Sequence, residues 1–99
     1  MLDKNSCDKI FNEEKKNFGV EDIVSWREGY PIGMSDTYIH KFNDSYRITV
    51  PNTLKNYSQF KRRIRHELWH CKLNKGDLLN EFLAYLAEWI PLENVFKYI

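Results

Sequence analysis

Residues 54–73 read LKNYSQFKRRIRHELWHCKL, and this stretch carries two patterns at once. Tyr57, Phe60, Ile64, Leu68 and Cys71 recur at three- and four-residue steps, the period of a helix with one apolar face. Inside that period lies His66-Glu67-Leu68-Trp69-His70, an H-E-x-x-H. Helix residues four apart sit about 40° apart around the axis and one turn along, so both imidazoles leave one face and can reach one ion. Zinc accepts imidazole nitrogen at about 2.0–2.1 Å. Glu67 flanks the pair, in place to act as general base on a zinc-bound water whose pKa falls to about 7. The metal face lies nearly opposite Phe60, Ile64 and Leu68, so the helix can bury one side and turn the other to a cleft. Two surface histidines on an amphipathic helix are the plainer reading, which leaves the spacing without a cause.

Outward from this helix, Asn74-Lys75-Gly76 has turn composition and Asp77 is a good N-cap. They introduce a helix from Leu78 to about Ile90 whose expected core stripe is Leu79, Phe82, Leu83, Leu86 and Ile90, ended by Pro91. The tail Leu92–Ile99 is expected extended, docked on the core or folded back over the cleft. Upstream, residues 3–17 read as a helix, with Cys7, Ile10, Phe11 and Phe18 on one side and Gly19 as its stop. Three strands follow, Ile23–Arg27, Thr37–Phe42 and Tyr46–Val50. The last two flank Asn43-Asp44-Ser45 and so form a hairpin. The order predicts one α+β domain over residues 1–99, its helices packed on a three-stranded antiparallel sheet.

A catalytic zinc takes three protein ligands and a water. The H-x-x-G-x-x-H continuation would need other residues where Leu73 and Gly76 stand, so the third ligand comes from elsewhere. Glu81 and Glu88 share the polar face of the last helix. In an antiparallel helical hairpin turning at Lys75, Glu81 is nearly level with the histidine pair. Glu88 lies about 10 Å further along the axis, which makes Glu81 the ligand and Glu88 a surface residue.

His66-Glu67-Leu68-Trp69-His70 followed by Asn80-Glu81 and Ala84 resembles the gluzincin clan of metallopeptidases, where a helix-borne glutamate completes the zinc site. The short chain is similar to the minigluzincins, soluble single-domain members of that clan. The resemblance is specific over residues 60–91. It implies a zinc-dependent endopeptidase acting on peptides or unfolded protein, with His66, His70 and Glu81 on the metal and Glu67 as base. It also implies latency through residues 91–99, because minigluzincins are described as zymogens silenced by their C-terminal segments. The chain would then be a monomer or a homodimer that exchanges its C-terminus.

Other residues invite weaker readings. Tyr85, one turn after Glu81, could donate to the oxyanion, or simply pack at the helix edge with its hydroxyl in water. His40 on a strand could assist in the same way, or be an ordinary half-buried histidine. Cys71 points about 100° from His70 into the core stripe, so packing is expected of it, and Trp69 is expected to cover core. Lys61, Arg62, Arg63 and Arg65 form a basic run that reads as a solvated helix face. Its rival reading is a zinc-stabilised, non-catalytic module that binds nucleic acid. A formal net charge of +1 argues against the rival. No apolar run approaches the roughly 20 residues of a membrane span, and the polar start MLDKNSCDKIFNEEKK cannot be the core of a signal peptide. A cytoplasmic location and two free thiols, Cys7 and Cys71, are expected.

Overall fold

Helix α1 (Lys4–Phe18) starts where the Asp3 carboxylate accepts the Ser6 N–H at 3.0 Å. It stops at Gly19, whose φ of +70° lets the chain turn while the Gly19 and Val20 N–H groups take the carbonyls of Lys16 and Lys15. The computed structural model describes residues 2–20, 23–29, 37–73 and 78–98. Strands β1 (Val24–Gly29), β2 (Tyr38–Phe42) and β3 (Ser45–Pro51) follow α1. Then come helices α2 (Tyr57–Lys72) and α3 (Leu78–Ala87) and a 3-10 helix over Leu92–Tyr98. The expected turn at Asn74-Lys75-Gly76 and the cap at Asp77 lie outside the described residues. No helix among the described residues is long and apolar enough to cross a membrane.

The fold class is the expected α+β, but the sheet is mixed rather than antiparallel. Its order is β1-β3-β2. The hairpin forms, with Ile39 opposite Ile48 and His40 opposite Arg47, and turns where Asn43 takes a φ of +50° that asparagine tolerates. β1 runs parallel to β3, Trp26 beside Ile48 and Gly29 beside Pro51. Side-chain alternation fixes which face of a strand is buried, not which strand lies next to it. Here the deciding contacts belong to Trp26. Its ring meets Phe60 edge-on at 5.0 Å and its indole N–H donates to Asp8 at 2.9 Å, which seats β1 beside the central strand. Gly29 is required there, since a Cβ would stand 2.6 Å from the Thr49 methyl.

Helix α2 packs against α1, α3 and β3. It begins at Tyr57 rather than near Leu54 because Asn56 caps it, accepting the Gln59 N–H at 2.8 Å. Phe60, Ile64, Leu68 and Cys71 are buried as their spacing predicts, together with Trp69 and with Cys7, Phe11, Phe18, Ile48 and Val50 from the neighbouring elements. Both cysteines are free.

Helix α3 departs from expectation. Leu79 is 65% exposed and Phe82 59%, while Asn80, Ala84 and Ala87 are buried. Of the expected stripe, Leu79, Phe82 and Ile90 face outward while Leu83 still packs partly buried against the core, and the small residues take the fully buried positions. Alanines at the contact let α3 lie close to α2, near enough for short carboxylate side chains to reach across. The helix also ends at Ala87, before Ile90, in a tightened turn in which Glu88 and Trp89 donate to the carbonyls of Tyr85 and Leu86.

That early end is held by Arg65, which the basic run had placed on a solvated face. Arg65 is 5% exposed and uses its whole fork. Nε donates to the Ala87 carbonyl at 2.5 Å and Nη2 to the Ile90 carbonyl at 2.8 Å. Nη1 donates to Glu14 at 2.6 Å and to Glu93 at 3.0 Å, and Nη2 donates again to Glu93. The tail therefore is not extended. Its 3-10 helix carries Glu93 into the interior and packs on α1 and α3. Burial alone would lower the Arg65 pKa, but the bonds from Glu93 and Glu14 outweigh it and hold the guanidinium above its ordinary value.

Arg65→Met should destabilise the fold by about 3–5 kcal/mol, since it strands two buried carboxylates. The loss is read from the urea midpoint at constant slope. A loss under about 1 kcal/mol would contradict the buried arrangement.

Candidate metal centre

His66 and His70 leave α2 one turn apart, their ring centroids 5.1 Å from each other. Opposite them stands Glu81 on the first turn of α3. Glu81 Oε1 is 3.0 Å from His66 Nε2, and Glu81 Oε2 is 3.1 Å from His70 Nε2. One carboxylate thus spans both imidazoles. The ligand-capable atoms of the three residues lie within 4.8 Å of one another, a group that could hold a metal ion.

The donor chemistry fits a cation. His66 Nδ1 lies 2.9 Å from Glu88 Oε2 and Nε2 lies 3.0 Å from Glu81 Oε1, so a single ring proton held by Glu88 would leave the Nε2 lone pair facing a carboxylate oxygen. Two acceptors at that distance need a proton or a metal between them. His70 favours the metal: burial holds its pKa below the usual histidine value, outweighing the opposing pull of Glu81, so the ring is neutral near pH 7. Neighbouring ligands of a tetrahedral zinc with bonds near 2.05 Å stand about 3.3 Å apart. The separations of 3.0 and 3.1 Å, one to each Glu81 oxygen, are within a few tenths of an ångström of this, and the ligand atoms of all three residues lie within 4.8 Å of one another. Two imidazoles and a carboxylate are also a donor set that zinc accepts.

The structure brings together three of the residues singled out from sequence and adds one. His66, His70 and Glu81 converge as the hairpin geometry predicts. Glu88, read as a surface residue, instead has a side chain only 9% exposed and is bonded to His66. A carboxylate on the far nitrogen of a metal-binding histidine fixes its tautomer and ring orientation and raises its basicity. The signal for it lay in the spacing. Glu81 and Glu88 are seven residues apart, two helical turns, and so stand nearly in line on one face.

Glu67 is buried on α2 next to His66, outside the metal group. With burial the larger cause, its charge helps push the Cys71 thiol up to about 12, so Cys71 stays protonated and serves as packing. Tyr85 lies at the edge of the site, its ring 4.7 Å from that of His66 and the residue half exposed. His40 is not brought into the group. It sits on β2 with its ring edge-on to Tyr38 at 5.0 Å. No protein-family model, curated protein or solved structure matches this chain.

The group should bind one divalent ion per chain, measured by calorimetric titration with zinc. Glu81→Ala should reduce affinity below detection. Glu88→Gln should weaken it about 10–100-fold, the usual cost of losing an outer carboxylate. Equal affinity in Glu88→Gln and the parent chain would remove Glu88 from the site.

Proposed function

We propose that this chain is a zinc-dependent peptide hydrolase of gluzincin type. The observation that carries the reading is the convergence of His66 Nε2, His70 Nε2 and the Glu81 carboxylate from two helices, with Glu67 beside the first ligand. Zinc held there would polarise the scissile carbonyl and lower the pKa of the attacking water.

The chain's own residues supply the rest. With zinc in place, Glu67 would be the residue to take a proton from the attacking water and pass it to the leaving amine, the role of a general base that becomes a general acid. Glu88 keeps the His66 Nδ1 proton in place, so Nε2 is directed at the metal. Tyr85 stands at the rim, where a phenol could donate to the developing oxyanion. The sheet offers a docking rail for an extended peptide. Among the described residues β3 is the central strand, with β1 and β2 on either side of it, and an outer strand of a sheet can take up an extended peptide. One contact weighs against latency through the C-terminal segment. Glu93 anchors the segment on Arg65, the residue before His66, so releasing the segment would disturb the helix that carries the ligands.

The test is hydrolysis of an unfolded protein substrate by the zinc-loaded chain, alone and after deletion of residues 92–99, beside Glu67→Gln. Glu67→Gln should keep zinc and lose activity about 10²–10⁴-fold, as expected for removing a general base. If neither zinc-loaded form cuts, or if Glu67→Gln cuts as well as its parent, the reading fails. The metal site would then be structural.

A further inference from the structure

Most of the exposed large apolar side chains among the described residues gather on the outward face of α3 and the turn after it. Leu78 is 88% exposed, Leu79 65%, Phe82 59%, Tyr85 56%, Trp89 71% and Ile90 46%. At 100° per residue, the four on α3 fall within an arc of about 120°, and Trp89 and Ile90 extend it in the following turn. Glu81 and Glu88 turn toward the histidines, so the arc on α3 itself carries no charge, and Arg62 of α2 meets its edge, 4.3 Å from the centre of the Trp89 ring. With side chains of this size covering about 150–250 Å² each when whole, the six leave roughly 700 Å² in contact with water. The largest apolar patch on a typical monomer is about 300–600 Å², and one partner of a stable complex buries about 800 Å².

We propose that this face pairs two copies of the chain, α3 against α3. The area matches one side of a dimer. The absence of charge selects the partner. In a two-fold contact each side chain meets the same patch on the other copy, so a like charge would oppose itself, and this arc holds none. A protein partner of opposite charge would find only Arg62, at the edge over Trp89, and a net charge of +1 draws the chain only weakly to anionic lipid. The segment from Leu78 to Ile90 spans about 20 Å at helical rise, and Phe82 lies near its middle, where a two-fold axis would cross. Tyr85 belongs both to the arc and to the rim of the metal group, so the second copy would border the site. This dimer needs neither the metal nor an exchanged tail, and stands apart from the hydrolase reading.

Sedimentation equilibrium of the full chain tests it. The chain mass is 12.0 kDa, and a species of twice that mass is expected at micromolar concentration. Phe82→Glu and Leu79→Lys should each return the mass to that of one chain, with an unchanged far-ultraviolet circular dichroism spectrum, because both side chains are exposed within the protomer. A monomeric parent chain at all concentrations overturns the proposal. So does a dimer that survives both substitutions, or a loss of fold in both variants, which would place these residues in the core. A monomer that sediments with phosphatidylcholine vesicles would overturn it in favour of a lipid surface.

Discussion

Arg65 directs five hydrogen bonds at four acceptor groups, and each comes from a different part of the chain than its own helix. Glu14 belongs to α1, the Ala87 and Ile90 carbonyls close α3, and Glu93 begins the tail. The last carbonyls of a helix have no partners within it, so something must supply donors. Here a single planar guanidinium does so while neutralising two buried carboxylates, and the Lys61 ammonium, 3.7 Å from Glu14, adds a second positive charge at the boundary. A buried cation of this kind adds little net stability against a well-packed apolar core, but it tolerates few alternative geometries. It sets where α3 stops and how α3 lies against α2, and the metal group spans those same two helices.

The consequence appears one residue further along each helix. His66 follows Arg65, and Glu88 follows Ala87, whose carbonyl Arg65 holds. The clamp therefore fixes the backbones of the two residues joined by the 2.9 Å bond between His66 Nδ1 and Glu88. Ala84 and Ala87 at the helix contact remove the bulk that would hold α3 away. Bringing the carboxylates inward forces the large apolar residues of α3 outward. A helix that met only the demands of a core would have been rotated by about 110°. Such local conflict between burial and a polar constellation is expected at functional sites.

Legibility in the sequence follows from how local each feature is. The pairing of His66 with His70, the buried stripe from Phe60 to Cys71 and the hairpin at Asn43 depend on spacings of two to four residues, which the backbone geometry of a helix or strand converts directly into direction. Glu81 was within reach because it needed only one more assumption, a tight connection between two helices. The rotation of α3 was not, because an apolar stripe ordinarily marks the buried side, and here the contacts of Glu81 and Glu88 with the histidines outweigh it. Arg65 sits in a run of cations whose pattern is that of a solvated face, and its partners lie 22 to 51 residues away. The parallel placement of β1 depends on where Trp26 finds Phe60, a contact that no periodicity encodes.

The proposed centre has two imidazoles and one carboxylate from α2 and α3 holding one zinc ion with a position left open. X-ray absorption at the zinc K-edge of the loaded full chain reads that set directly. The predicted spectrum has four or five nitrogen and oxygen neighbours at about 2.0–2.2 Å, with the outer scattering of two imidazole rings. A shell of six oxygens without imidazole scattering, or sulfur at about 2.3 Å from Cys7 or Cys71, would contradict it.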